Sequence, residues 1–152
     1  NIIACEKYIN GNINLIKSIK KNNIDNILIY NGNVNEFLDK NIQDSYFDIV
    51  SIFFPDPWPK NKHHKRRLIN FSFFEKIYEF VSHNGKIYIV TDSDLYKRSI
   101  FNSLYESKHL FRWLNHSKLN LSIKDYFDLE TKFYKKAIIS KRKPTLFILQ
   151  KL

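Results

Sequence analysis

Residues 53–67 of the chain read Phe-Phe-Pro-Asp-Pro-Trp-Pro-Lys-Asn-Lys-His-His-Lys-Arg-Arg. This stretch follows an apolar run, Phe47 to Ile52, that has the composition of a buried strand. The prolines at 55, 57 and 59 exclude a helix and predict an extended chain, because each proline fixes its own φ and restricts the preceding residue. We therefore expect Asp56 in a stiff loop at the carboxyl end of a strand, where open α/β sheets place their ligand sites.

Basic residues are concentrated directly after this loop. Seven of the eight residues 60–67 are Lys, Arg or His. Residues 1–59 contain five Lys or Arg and seven Asp or Glu, whereas residues 60–152 contain twenty and eight. This asymmetry, in a chain of formal net charge +10, is typical of a protein that binds a polyanion. A carboxylate, an indole and a cationic run in one loop predict a site that holds a nucleobase and phosphates.

The remaining composition restricts the class of protein. A chain of 152 residues has the length of a single domain, and with 43% hydrophobic residues it can bury a core. No apolar run approaches the length of a membrane span. The single cysteine, Cys5, excludes an internal disulfide and predicts a reducing compartment, which we take to be the cytoplasm.

Apolar runs that alternate with helical spacings predict an α/β fold, a mostly parallel sheet with helices on both faces. Strands are predicted at residues 1–6, 27–30, 47–54, 86–91, 111–114 and 145–149, and the last is expected to lie antiparallel. Helices are predicted at 9–20, 34–38, 69–81 and 94–106. Residues 115–143 are predicted to be irregular and basic.

A family resemblance rests on the same loop. Phe54-Pro55-Asp56-Pro57-Trp58, followed at fixed spacing by Lys60, His63 and Lys65-Arg66-Arg67, resembles the signature of the bacterial tRNA (guanine-N7-)-methyltransferases. These are class I enzymes that use S-adenosylmethionine to methylate a guanine in the tRNA variable loop. The resemblance implies one Rossmann-like methyltransferase domain over residues 1–152, with S-adenosylmethionine as cofactor, tRNA as partner, and a monomeric or homodimeric state.

The resemblance also implies that part of the family's domain lies outside this chain. Asn1 to Glu6 aligns with the family's second strand, and none of the three glycines forms a Gly-x-Gly turn. We therefore expect the chain to lack the first strand of the class I sheet and its Gly-rich loop.

Two residues of the amino-terminal third are expected to bind the cofactor. Glu6 ends a strand where a carboxylate can accept hydrogen bonds from both ribose hydroxyls, and the resemblance implies that role. Asn33 stands where the family has an Asp that contacts the adenine. The alternatives are a surface Glu at a strand end and a plain Asn-Gly-Asn turn.

Asp56 and Asp92 follow neighbouring predicted strands and are expected to face one crevice. Guanine N7 has a lone pair and no proton, so methyl transfer needs alignment rather than a general base. A carboxylate that accepts from guanine N1–H and N2–H would leave N7 turned to the methyl group. Asp56 is assigned as the catalytic residue, shared between cofactor and base, and Asp92 is assigned to the base. The alternative for Asp92 is a helix N-cap.

The resemblance further implies substrate contacts by Lys60 and by Thr131-Lys132-Phe133-Tyr134, where Tyr134 replaces a family Glu. Trp58 is expected either to stack on a base or to pack. No metal site is expected, because His63 and His64 have no Cys or carboxylate at ligand spacing. Contacts to tRNA phosphates are expected from the other cationic side chains of the run, namely Lys62, His63, Lys65, Arg66 and Arg67.

Two other functions stay open. A non-catalytic RNA-binding remnant of the family is consistent with Tyr134 and with the missing Gly-rich loop. An adenine-N6 or other amino methyltransferase carries an Asn/Asp-Pro-Pro-aromatic loop in the same place. The single proline between Asp56 and Trp58, with the basic run behind it, argues against this third function.

Overall fold

The computed structural model describes residues 1–41, 47–116, 123, 126–127 and 131–152. The chain divides into two compact units, Asn1–Asp44 (unit 1) and Ser45–Leu152 (unit 2), and the expectation of one methyltransferase domain stays a prediction. In the described ranges, no helix has both the length and the apolar character that crossing a membrane requires.

Unit 1 contains two strands, each followed by a helix. In chain order these are β1 (Ile2–Glu6), α1 (Ile9–Lys21), β2 (Ile27–Asn31) and α2 (Val34–Asn41). The strands pair in parallel, with α1 as the crossover that parallel strands need. Because Glu6 pairs with Asn31, the two strands end side by side, and Asn33 follows two residues later.

Unit 2 contains a four-stranded sheet, in which the strands lie in the order β3 (Phe47–Phe53), β4 (Val81–Thr91), β6 (Thr145–Lys151) and β5 (Phe111–Trp113). Strands β3 and β4 are parallel, whereas β6 is antiparallel to both of its neighbours, β4 and β5. The predicted antiparallel strand is confirmed, and it lies inside the sheet, between β4 and β5. The elements in chain order are β3 (Phe47–Phe53), a 3-10 helix (Asn61–Arg66), α3 (Phe71–Tyr78), β4 (Val81–Thr91), α4 (Asp94–Glu106), β5 (Phe111–Trp113), α5 (Lys132–Ile139) and β6 (Thr145–Lys151).

The core of unit 2 lies between its sheet and its helices. Strands β4 and β6 are buried along most of their length, as expected of central strands covered on both faces. Helices α3 and α4 contribute one buried stripe each, and each large apolar side chain so buried stabilises the fold by about 1.5–3 kcal/mol. These side chains are Phe73, Phe74 and Ile77 of α3, and Tyr96, Ile100 and Leu104 of α4.

Helix α3 is shorter than the predicted 69–81. It begins at Phe71 because the Asn70 side chain accepts a hydrogen bond from the Phe73 amide (2.9 Å) and so caps the helix. It ends at Tyr78, since the chain then joins the sheet, where the Phe47 amide donates to the Phe80 carbonyl (2.7 Å).

Strand β4 starts five residues earlier than predicted and contains a bulge. The pairing register shifts between Phe47 opposite Val81 and Ile49 opposite Lys86. Gly85 is required at this bulge, because a Cβ there would lie 2.7 Å from the nearest Val81 methyl carbon. The predicted strand 86–91 is the regular part of β4.

The prediction that residues 115–143 are irregular is wrong for Lys132–Ile139, which form α5. Thr131 caps this helix, because its hydroxyl oxygen accepts from the Tyr134 amide (3.1 Å). Ala137 is buried and Tyr134 is half-buried, so the helix has a short inward-facing stripe.

Candidate functional site

The carboxyl ends of β3 and β4 meet at one edge of the sheet of unit 2. Phe53 pairs with Val90, and the Phe54 amide donates the last bond of this pairing to the Val90 carbonyl (2.8 Å). Asp56 lies three residues beyond the end of β3, and Asp92 directly follows β4. The predicted placement of both aspartates after neighbouring strands is therefore confirmed.

The backbone of the Asp56 loop is strained at two residues. Phe54 has φ 51° and Trp58 has φ 40°, although both precede a proline. The expectation that the prolines keep the residues before them extended is wrong at these positions. Phe54 turns out of the sheet while its amide still bonds to Val90. Positive φ is rare for bulky residues and is concentrated at functional sites, where the surrounding structure enforces it.

The Asp56 carboxylate is exposed. In the part of the chain that the structure describes, it has no hydrogen bond or ion pair, so both oxygens are available to a ligand. The charge of Asp56 also acts on Tyr96. Burial, with a smaller contribution from the Asp56 charge, raises the pKa of Tyr96 to about 12.

The Asp92 carboxylate is held by an arginine. Arg142 Nε lies 3.2 Å from Asp92 Oδ2, and the Asp92 side chain is 17% exposed. The alternative that Asp92 caps α4 is wrong, because the cap is Ser93, whose hydroxyl oxygen accepts from the Tyr96 amide (3.3 Å). Asp92 is therefore not needed to begin the helix.

The prediction of a loop is wrong for the basic run, because Asn61–Arg66 form a 3-10 helix that directly follows Pro59 and Lys60. Arg66 lies over the Trp58 ring at 5.0 Å from its centroid, and His63 approaches the same ring edge-on at 5.7 Å. Trp58 thus packs within the protein, and base stacking by it stays a prediction. The exposed cations at this surface are Lys60, Lys62, Lys65 and Arg66.

Arg67 differs from these neighbours because it is only 5% exposed. Its Nε donates to the Pro57 carbonyl (2.7 Å), and its guanidinium carbon lies 5.3 Å from the Tyr96 ring centroid. The structure does not bring Arg67 together with the exposed cations. The expected phosphate contact of Arg67 is therefore corrected to contacts within the protein.

The segment Thr131–Tyr134 adjoins the Asp56 loop. The Phe133 ring is stacked on that of Phe54 at 6.2 Å and 24°, yet Phe133 remains 61% exposed. Tyr134 packs against an apolar cluster that includes Val90 of β4 and Ile148 of β6. Thr131 is used as a helix cap. Lys132 and Phe133 are therefore the members of this segment that remain accessible to a ligand.

In unit 1, Glu6 is the last residue of β1, and Asn33 lies two residues beyond the end of β2. Glu6 is exposed, and its Oε1 accepts from the Tyr8 amide (2.7 Å). Asn33 caps α2, because its Oδ1 accepts from the Asn35 amide (2.9 Å) and its carbonyl from the Phe37 amide (3.0 Å). Asn33 is thus a helix N-cap and not part of a plain turn, and its side-chain NH₂ remains as a donor.

Comparison with known proteins identifies the family. A model of the family described as "Putative methyltransferase" matches residues 1–146. A tRNA (guanine-N(7)-)-methyltransferase of Leptospira interrogans serogroup Icterohaemorrhagiae serovar copenhageni is 36% identical over 106 residues, which are 70% of this chain and 49% of the relative. Another from Buchnera aphidicola subsp. Schizaphis graminum is 34% identical over 144 residues, 94% of this chain and 59% of the relative. The chain belongs to the bacterial tRNA (guanine-N(7)-)-methyltransferase family.

Solved structures of other methyltransferases share the fold of this family member. An rRNA methylase from Streptococcus thermophilus aligns with 99% of this chain and 72% of its own, with a TM-score of 0.60 and 14% identity. A SAM-dependent O-methyltransferase from Thermotoga maritima aligns with 99% and 49%, with a TM-score of 0.57 and 14% identity. The predicted class I methyltransferase fold is confirmed. The chain spans about half to three fifths of the length of the curated relatives named above.

Three residues of this tRNA (guanine-N(7)-)-methyltransferase family member contact site residues without having been predicted to do so. Arg142 holds Asp92, Tyr96 packs under Arg67, and Asn12 is buried behind Glu6, where its Nδ2 donates to the Glu6 carbonyl (2.9 Å). Arg142 gives no sequence signal, since it stands between two lysines. Tyr96 has the spacing of an ordinary core residue. The available sequence signal was Asn12, a polar residue that stands at helical spacing from Ile9 and Ile16.

Proposed function

We propose that the protein transfers the methyl group of S-adenosylmethionine to N7 of a guanine in the tRNA variable loop. Family membership supports this proposal. The structural observation that carries it is the exposed Asp56 carboxylate, which has no described protein partner and stands on a stiff loop at the shared edge of β3 and β4.

Asp56 is suited to recognise guanine by its Watson–Crick edge. Guanine N1–H and N2–H both donate, and two carboxylate oxygens both accept, so the pair forms two charge-assisted hydrogen bonds. Adenine has an acceptor at N1 and no 2-amino group, so it leaves the carboxylate unsatisfied. Because this edge is hidden in a base pair, the guanine must be unpaired or flipped out.

The reaction needs alignment and not proton transfer. N7 lies on the side of the purine opposite the edge that Asp56 would hold, and its lone pair can attack a methyl group directly. Correct alignment of two reacting groups is worth up to about 7–11 kcal/mol. A loop fixed by three prolines keeps the Asp56 carboxylate in place without loss of further conformational freedom when the base binds.

Two side chains of unit 1 fit an adenosyl group. The exposed Glu6 carboxylate has one oxygen fixed by the Tyr8 amide, and the other can accept from ribose hydroxyls. The Asn33 NH₂ group can donate to an adenine ring nitrogen, and its Oδ1 has a second lone pair for the exocyclic amine. When bound, S-adenosylmethionine supplies an electrophilic methyl group on a sulfonium.

Asp92 would accept from the base through Oδ1, while Oδ2 stays with Arg142. Lys60 follows the Asp56 loop and Phe133 stacks on Phe54, so Lys60 and the exposed Lys132 and Phe133 would add contacts to the substrate. Exposed cations of the 3-10 helix would hold phosphates, which position RNA without reading its sequence.

The test measures methyl transfer from labelled cofactor to unmodified tRNA, with strand cleavage at N7-methylguanosine to locate the product. Asp56→Ala should lower kcat/KM by at least about 100-fold, because a site built to hydrogen-bond a base loses both bonds. Retention of tRNA on filters should change by less than about threefold, since phosphate contacts supply most of the affinity. Asp25→Ala, at an exposed aspartate of unit 1, is the matched control and should behave as the unaltered chain.

Equal transfer by the unaltered chain and Asp56→Ala would overturn the role of Asp56. Retention of tRNA without transfer by the unaltered chain would instead favour the RNA-binding remnant. That second function is supported by Tyr134, which stands where the family has a Glu and is used here for core packing.

A further inference from the structure

Arg67 is enclosed by protein, although it ends a run of exposed cations. Lys65 and Arg66 are exposed, whereas Arg67 is 5% exposed. Removal of a guanidinium from water is costly unless the protein provides partners. In the described ranges, none of these partners is a carboxylate. A residue that served only to bind phosphate would gain nothing from such burial.

The partners of Arg67 are the backbone of the Asp56 loop. Nε donates to the Pro57 carbonyl at 2.7 Å, and a terminal guanidinium nitrogen lies 3.5 Å from the Trp58 carbonyl. Pro57 is the residue after Asp56, and Trp58 has the strained φ of 40°. Arg67 therefore contacts the segment whose conformation decides where the Asp56 carboxylate points.

The guanidinium carbon of Arg67 also lies over the ring of Tyr96, 5.3 Å from its centroid. Tyr96 is fully buried, and its hydroxyl accepts from the Ile69 amide at 2.8 Å. Tyr96 belongs to α4, which begins two residues after Asp92. Arg67 and Tyr96 thus join the loop that carries Asp56 to the helix that follows Asp92.

We propose that Arg67 is a positioning residue, which holds the Asp56-Pro57-Trp58 segment against α4 so that Asp56 keeps one orientation for guanine. The proposal rests on the proposed function for its catalytic consequence. The guanidinium is needed because its planar fork reaches two carbonyls of the loop while its carbon lies over the Tyr96 ring, which a lysine ammonium cannot do. A strained backbone persists only where its surroundings enforce it, and Arg67 supplies that enforcement.

The test compares Arg67→Met with Arg98→Met, which removes the same charge from an exposed arginine of α4. Trp58 emission is read in a Trp113→Phe background, which leaves Trp58 as the single tryptophan of the chain. Arg67→Met should shift this emission to longer wavelength and lower kcat at least about tenfold, with tRNA retention within about threefold. Lys65→Met should weaken tRNA retention, and Arg98→Met should leave the emission and kcat unchanged.

Arg67→Lys is the second variant, for the case that Arg67→Met does not fold. Lysine keeps the charge but not the planar fork, so kcat should still fall while tRNA retention is preserved. The proposal is overturned if Arg67→Met or Arg67→Lys weakens tRNA retention as Lys65→Met does, with Trp58 emission unchanged. If the unaltered chain transfers no methyl group, the proposed function fails, but Trp58 emission and tRNA retention still decide the position of the loop.

Discussion

At the residue scale, the buried Tyr96 hydroxyl makes the stability of the fold depend on pH. Burial is the main cause that raises the pKa of Tyr96 to about 12, against about 10 in an unfolded chain. Between these values the folded protein keeps the tyrosine proton and the unfolded chain has lost it. The free energy of unfolding therefore has a contribution that is complete below about pH 10 and is lost as the pH rises to about 12.

Tyr96→Phe should remove that contribution and leave the Ile69 amide without its acceptor. A buried amide without a partner costs about 1–3 kcal/mol of stability. Urea unfolding at pH 8 should show this loss, and the difference between variant and unaltered chain should shrink from pH 10 to 11. Tyr105→Phe, at a tyrosine that is 73% exposed, is the control. Parallel pH profiles for the unaltered chain and Tyr96→Phe would contradict the assignment.

Single residues also show where sequence reasoning reaches its limit. The placement of Asp56 and Asp92 could be predicted, because parallel neighbouring strands end at one edge. Arg66 and Arg67 could not be told apart, because the difference depends on a tyrosine 29 positions along the chain. Burial of a charged side chain is a property of tertiary packing, and no local pattern reports it.

At the scale of elements, the strength of the apolar repeat decided which helices could be predicted. The 13 residues of α4 contain several apolar repeats and follow a Ser-Asp start, and its predicted bounds are confirmed. Helix α3 has only 8 residues but buries Phe73, Phe74 and Ile77, whereas the 8 residues of α5 bury only Ala137. The apolar repeat of α5 is therefore too weak, in a basic region, to distinguish from an irregular segment. Its strongest signal was Thr131, which is a favourable N-cap.

Thr131→Ala should therefore destabilise α5 and the contact between Phe133 and Phe54. Loss of a threonine cap costs about 1 kcal/mol, within a range of about 0.5–2 kcal/mol. The free energy of unfolding in urea should fall by this amount, while Thr131→Ser, which keeps the hydroxyl acceptor, should restore it. If both variants lose the same stability, the methyl group of Thr131 matters and the cap does not.

At the scale of the whole molecule, the excess of cations and the Asp56 loop both belong to unit 2. The alternation of strands with helices in unit 2 could be predicted from the sequence, and the parallel pairing of β3 with β4 agrees with it. The position of β6 between β4 and β5 could not, because an apolar run does not specify its neighbours. The excess of cations in residues 60–152 could be read directly from the sequence, but the surface that they form could not.

The exposed cations of the 3-10 helix should account for much of the salt dependence of tRNA binding. Each phosphate contact contributes about 0.7–0.9 to the slope of log affinity against log salt concentration. The triple variant Lys62→Ala/Lys65→Ala/Arg66→Ala should therefore lower the magnitude of this slope by about 2–3. The matched variant Lys17→Ala/Lys20→Ala/Lys21→Ala removes the same charge from exposed positions of α1 and should lower it by less than about 1. Filter binding at salt concentrations from about 50 to about 300 mM measures both slopes. Equal reductions would mean that tRNA binding depends on net charge alone. The cations that follow the Asp56 loop would then contribute no more to binding than those of α1.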